Sequence, residues 1–169
     1  MEFVKRIKDI CDENKNTKVG MFIDMDGVLA DYDLGSYWDI RNNTPDTFLI
    51  KRPIKTIINV LEQLTKIENL DFYILSACLF ENQAVDKSIW IDKYIPFIKK
   101  QNRYFIIKEF EKYTRETKPK IKVSYISKVM NKDSIDLSIY IEDEHLMLRQ
   151  AQNDLKDKVI CFHVSSLLD

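Results

Sequence analysis

Four acidic residues close together carry the first chemical signal in this chain. In "KVGMFIDMDGVLADYD", residues 18 to 33, an apolar run ends in Asp24 and Asp26, Gly27 follows at once, and Asp31 and Asp33 come after another apolar triplet. Burying a carboxylate is unfavourable unless a cation or a shared proton compensates it. Side chains alternate along a strand, so Asp24 and Asp26 are expected to point to one side. A hard divalent cation such as Mg²⁺, which takes oxygen ligands and binds through one or two carboxylates plus phosphate and water, fits such a pair. The later "YIED", residues 140 to 143, supplies Glu142 and Asp143 as further oxygen ligands beside Asp24 and a backbone carbonyl near Asp26.

A metal-associated aspartate facing a phosphate can act as a nucleophile, and a second carboxyl can protonate the leaving oxygen and then activate water. Asp24 and Asp26 take those roles in this reading. Gly27 allows the tight turn that lets backbone amides face a phosphate. Ser76, with Ala77 beside it, offers a hydroxyl to a phosphate oxygen, and Lys87 can reach in as a positive charge. Each has a plainer reading. Ser76 alone could cap a turn, Lys87 alone could be a solvated helix lysine, and Glu142 and Asp143 could favour the dipole of the following helix.

These residues need elements to hold them. Apolar residues at helical spacing predict a helix over 2–14. Strands are expected at 18–24, 71–77, 103–108, 137–143 and 158–164, and helices from Pro53 to about 68, at 84–95 and at 144–154. Residues 121–127 alternate like a strand, although 124–131 could be helical. Strands alternating with helices predict an α/β fold, a mainly parallel, Rossmann-like sheet with helices on both faces. Ligands in such folds bind beyond the carboxyl ends of the strands, where Asp24, Asp26, Ser76, Glu142 and Asp143 fall.

Composition narrows the class. The chain has 169 residues, 45% of them hydrophobic, with 26 basic against 27 acidic residues and a net charge of -1. That suits one domain, and stable nucleic-acid binding is not expected. No apolar stretch approaches the roughly 20 residues of a membrane span. Cys11, Cys78 and Cys161 form neither a metal-finger spacing nor a disulfide framework, and the N-terminus lacks the apolar core of a signal peptide. A cytoplasmic setting is therefore expected.

The motifs together resemble the haloacid dehalogenase-like phosphohydrolases. "DMDGVLAD" is similar to their first motif, "ILSA" (74–77) to the second, Lys87 to the third and "YIED" to the fourth. "DMDGVLADY" followed by "KSIWIDKYIP", in which Lys87 stands three residues before Trp90, resembles the 5'(3')-deoxyribonucleotidase branch. The resemblance implies a Mg²⁺-dependent phosphatase working through an aspartyl-phosphate, with a nucleotide or another small phosphate ester as substrate. It also implies a core over 1–30 and 52–169 with a small helical cap over 31–51, and Tyr32 packed on the nucleobase. Trp38, in the same aromatic-rich segment, is a candidate cap contact, and Lys132 fits the spacing of a basic residue before the fourth motif. Segment 109–128 reads as an insertion. The rival readings are a phosphatase for a nucleic-acid end, a dehalogenase, or a non-catalytic binding domain. Asp26 speaks against the dehalogenase and the intact set of Asp24, Asp26, Ser76 and Lys87 against the binding domain.

Overall fold

The short β-branched and aromatic runs of this chain form five parallel strands. The computed structural model describes residues 2–32, 37–108 and 113–169; Asp33 and residues 109–112 of the expected insertion lie outside them. The elements are α1 (Glu2–Glu13), β1 (Val19–Ile23), α2 (Tyr37–Arg41), α3 (Lys55–Gln63), β2 (Leu70–Cys78), α4 (Glu81–Tyr94), β3 (Arg103–Ile107), α5 (Lys118–Asp133), β4 (Leu137–Glu142), α6 (His145–Leu155) and β5 (Val159–His163). The strand order is β3-β2-β1-β4-β5, and every pairing is parallel. The chain runs outward from β1 to β3 and then crosses back to β4 on the other side of β1. The C-terminal end of β1 therefore opens at the switch point where α/β sheets bind ligands.

Strand alternation divides the core in two. Met21, Ile23, Ile74, Ile139 and Ile141 pack on one face with residues of α1, α3 and α4, including Phe3, Ile57, Leu61 and Trp90. Phe22, Tyr73, Leu75 and Tyr140 pack on the other face with Val123, Ile126 and Val129 of α5 and Met147 of α6. Fully burying an aliphatic or aromatic side chain contributes about 1.5–3 kcal/mol, so both layers hold the sheet edge firmly under the site.

Two local expectations change. Residues 121–127 are helical, inside α5, because Val123, Ile126, Val129 and Met130 present one buried stripe to the sheet. Pro53 lies ahead of α3 rather than in its first turn: it forms an isolated bridge with Ala30, and the helix begins at Lys55 and ends at Gln63.

Candidate active site

The β1 strand ends at Ile23, and the chain then turns sharply. The Met25 carbonyl accepts from the amides of Val28, Leu29 and Ala30, and Gly27 donates to the Ala30 carbonyl at 2.8 Å. Gly27 has φ +80, and a Cβ there would collide with the Asp143 carboxylate, so both the turn and the approach of Asp143 require glycine. Asp24 and Asp26, just past the end of β1, both line one cavity. Their carboxylates bond different lysines from opposite faces of the sheet.

Asp24 continues the side of Phe22, toward α5. There Lys122 Nζ lies 3.0 Å from Asp24 Oδ1 and 2.5 Å from Glu142 Oε2. Glu142 shares the parity of Tyr140, whose hydroxyl donates to Glu142 Oε2 at 2.6 Å. The amide of Asp143 donates to Glu142 Oε1 at 3.2 Å. One oxygen from each of Asp24, Glu142 and Asp143 can be chosen so that all lie within 4.8 Å of one another. Burial pushes the Asp24 carboxyl up to about 6, with Glu142 adding to the rise and Lys122 opposing it. Burial also raises Glu142, against Lys122, and raises Asp143. Asp24 and Glu142 share the Lys122 ammonium, and with Asp143 they make an all-oxygen set of the kind that suits a hard cation.

Ser76 shares the parity of Ile74 and faces α4. Lys87 of α4, fully buried, donates to Ser76 Oγ at 2.8 Å, to the Ala77 carbonyl at 3.0 Å and to Asp26 Oδ2. Lys51 donates to the other oxygen of Asp26, Oδ1, at 2.8 Å. Burial alone would raise Asp26, but the Lys87 and Lys51 ammonium groups outweigh it and hold its carboxyl well below the usual range. Burial likewise opposes the charge of Lys87, and Asp26 more than restores it.

The two half-sites meet at a cavity of about 390 Å³ lined by residues that include Asp24, Asp26, Ser76, Ala77 and Asp143, with Tyr32, Tyr37, Ile40 and Phe48 on the side of segment 31–51. Gln83 of α4 donates to the Ile40 carbonyl at 2.8 Å, and the Trp90 indole donates to the Lys51 carbonyl at 2.8 Å, tying that segment to α4.

Not every expected residue reaches this place. Tyr32 lines the cavity and is 59% exposed. Trp38, 68% exposed, packs edge-on to Tyr37 and is not part of the lining. Lys132 is not brought to the cluster: its side chain is 65% exposed and its ammonium donates to the Tyr104 hydroxyl at 3.2 Å. Lys132 lies in the last turn of α5, well over two helical turns beyond Lys122, so it belongs to the far end of that helix. Asp26 offers no carboxylate oxygen to the acidic triplet, since both are bonded to lysines. Glu142 and Asp143 make no capping bond to α6, whose N-cap is Glu144.

Sequence reasoning missed Lys122 and Lys51. The segment with Lys122 reads as an insertion of uncertain structure. One signal was present: Lys118 and Lys122 are four apart, as neighbours on a helix face are, and they pair with Glu144 and Glu142. Lys51 had no signal, lying in an irregular stretch between an aromatic run and Pro53.

No protein-family model matches the chain. Over 101 residues it is 32% identical to a protein of Vibrio phage KVP40 named "Putative 5'(3')-deoxyribonucleotidase", an alignment covering 53% of this chain and 58% of that protein. The chain thus aligns with less than two thirds of the relative's length. Among solved structures it resembles a "putative haloacid dehalogenase-like hydrolase" from Burkholderia xenovorans LB400, with a TM-score of 0.54, 15% identity and coverage of 86% and 81% of the two chains. The HAD domain of effector protein Lem4 from Legionella pneumophila gives 0.51, 13%, and 86% of each chain. A chain of the Pnkp1/Rnl/Hen1 RNA repair complex gives 0.55 and 11%, covering 88% of this chain and 43% of that one. At these identities the likeness is one of fold.

Proposed function

We propose that this chain, which has the haloacid dehalogenase-like fold, is a divalent-cation-dependent phosphatase for small phosphate esters, with nucleoside monophosphates as its substrate class. The observation that carries the reading is the division of the site: a nucleophile-grade carboxylate, Asp24, in an acidic triplet on one side, and a hydroxyl–lysine–carboxyl set, Ser76, Lys87 and Asp26, on the other. Segment 31–51 is the cap in this reading. The phage relative's name and the aromatic side of the cavity support the nucleotide class.

Asp24, Glu142 and Asp143 would hold a Mg²⁺-like ion, which when bound supplies positive charge to the phosphoryl oxygens. Ser76 and Lys87 bind those oxygens. Lys87 moving from Asp26 to the phosphoryl group removes one of two cations that keep Asp26 ionised, so Asp26 takes up a proton from solvent. The Asp24 oxygen attacks phosphorus, the ester P–O bond breaks, and the leaving oxygen takes the proton of Asp26. Asp26 then removes a proton from water, whose oxygen attacks phosphorus. The P–O bond to Asp24 breaks, releasing inorganic phosphate, and Asp26 returns the proton to solvent as Lys87 pairs with it again.

A panel of nucleoside monophosphates, sugar phosphates, p-nitrophenyl phosphate and oligonucleotides phosphorylated at either end tests this, after EDTA treatment and with Mg²⁺ restored. Release of phosphate from nucleotides, lost on chelation and recovered with Mg²⁺, is expected. Full activity after thorough chelation removes the metal; a preference for oligonucleotide ends replaces the substrate class; inactivity toward every ester overturns the phosphatase reading.

A further inference from the structure

We infer that Lys51 is the positioning residue of Asp26, holding Oδ1 so that Oδ2 alone serves the leaving oxygen; this rests on the phosphatase reading above. Lys51 lies outside regular secondary structure, yet it is buried. A lysine is rarely buried unless it is paired, and the only carboxylate with which it forms an ion pair among the described residues is Asp26.

Its placement is over-determined. The backbone around it is bonded to the loop that carries Asp26: Asp31 donates to the Arg52 carbonyl at 2.9 Å, Ile54 donates to the Leu29 carbonyl at 2.8 Å, and Ala30 bridges Pro53. Trp90 holds the Lys51 carbonyl from the side of α4. The ammonium lies 5.1 Å from the Phe48 ring centroid and 5.9 Å from that of Tyr32. Aromatic faces attract a cation at such distances, so the side chain has little freedom to leave.

Lys87 cannot do the same work. Its three protons already serve Asp26, Ser76 and Ala77, and binding a phosphoryl oxygen requires giving one up. When the Asp26 bond is released, Asp26 keeps one fixed partner, Lys51. With Oδ1 accepting from Lys51, the transferable proton sits on Oδ2, the oxygen that Lys87 vacates. Orientation of this kind is needed only when the leaving oxygen is a poor leaving group, because an activated leaving group departs without protonation.

The test compares Lys51→Met with wild type on two esters: a nucleoside or alkyl monophosphate, whose leaving oxygen is basic, and p-nitrophenyl phosphate, whose leaving group is activated. We expect kcat/KM on the alkyl ester, which reports the transfer to Asp24 in which Asp26 acts as acid and not the water step common to both esters, to fall by about 10- to 100-fold, a tenth or less of the general-acid contribution remaining, with KM changed little. The loss on p-nitrophenyl phosphate should be at least about ten times smaller. Lys51→Arg should recover most of the lost kcat/KM. Equal losses on both esters, no loss on either, or a rise in KM shared by both would overturn the positioning role and leave the phosphatase reading standing. Inactivity of the wild type toward both esters would remove that reading and this inference with it. If Lys51→Met does not fold, by circular dichroism and thermal melting, Lys51→Gln, which keeps a donor of similar reach, is judged by the same split.

Discussion

Lys122 Nζ lies 3.0 Å from Asp24 Oδ1, joining α5, late in the chain, to the residue that follows the first strand. Lys122 is 3% exposed, and it also carries Glu142 at 2.5 Å. Burial opposes its charge, but Asp24 and Glu142 raise its pKa well above the usual lysine range. It is the fixed positive charge of the α5 half-site, as Lys87 is of the α4 half-site.

Removing that ammonium leaves two buried carboxylates without it. Lys122→Met is expected to destabilise the metal-free protein by about 3–5 kcal/mol, the usual cost of breaking a buried ion pair by removing one partner. Urea unfolding followed by circular dichroism measures this. A loss below about 1 kcal/mol, the scale of an exposed pair, would mean that water reaches the cluster freely.

Asp24→Asn should behave in the opposite way toward stability while abolishing turnover. The amide cannot attack phosphorus, so kcat should fall by about 10³-fold or more, as it does when a nucleophile is removed. The variant should melt no lower than wild type in EDTA at pH 7.5, because it no longer carries a buried charge crowded by Glu142. A folded Asp24→Asn protein with substantial phosphatase activity would sink the assignment of the nucleophile.

The pH dependence of stability separates the two acids. Asp24 has a native pKa of about 6, above its unfolded value, so its contribution is favourable below about pH 4 and is lost as pH rises through 6. The shift corresponds to about 3 kcal/mol at one extreme, since one pKa unit is about 1.4 kcal/mol. Asp26 is depressed, so its contribution is present above the unfolded pKa near 4 and lost only in strong acid. Metal-free wild type should therefore gain stability between pH 7.5 and 5, and Asp24→Asn should lose most of that gain. Equal pH slopes for the two proteins would exclude Asp24 as the source.

Tyr32 tests the nucleotide class. Its ring lines the cavity and is largely open to it. Stacking on a base is worth about 1–3 kcal/mol, so Tyr32→Ala should lower kcat/KM for nucleotides by roughly 5- to 150-fold. p-Nitrophenyl phosphate, with only a small ring, should lose much less. Equal losses on both substrates, or none, would remove base stacking and with it the main structural support for the nucleotide class.

Much of this architecture is local and therefore readable along the chain. Continuous apolar runs such as Met21–Ile23 and Ile139–Ile141 read as strands buried on both faces, and a sheet covered by helices on both sides follows. Asp24, Asp26, Gly27, Ser76 and Glu142 stand at strand ends, and strand ends of a parallel sheet converge, so their proximity was implied by the order of elements alone. Trp90, three residues after Lys87, marked α4 as the helix that serves the site.

Which ammonium meets which carboxylate was decided only in three dimensions. Asp24 pairs with Lys122 of α5, while the turn over 25–30 brings Asp26 to Lys87 of α4 and to Lys51. Lys132 had the sequence spacing and Lys122 had the geometry, because a helix presents one residue in three or four to the sheet and only its crossing over β4 selects the turn that touches Glu142. Lys51 depended on bridges between segments 29–31 and 52–54. Sequence distance sets what can be nearby along an element; the pairing of charges is set by how elements pack, where burial leaves each ion a single partner geometry or none.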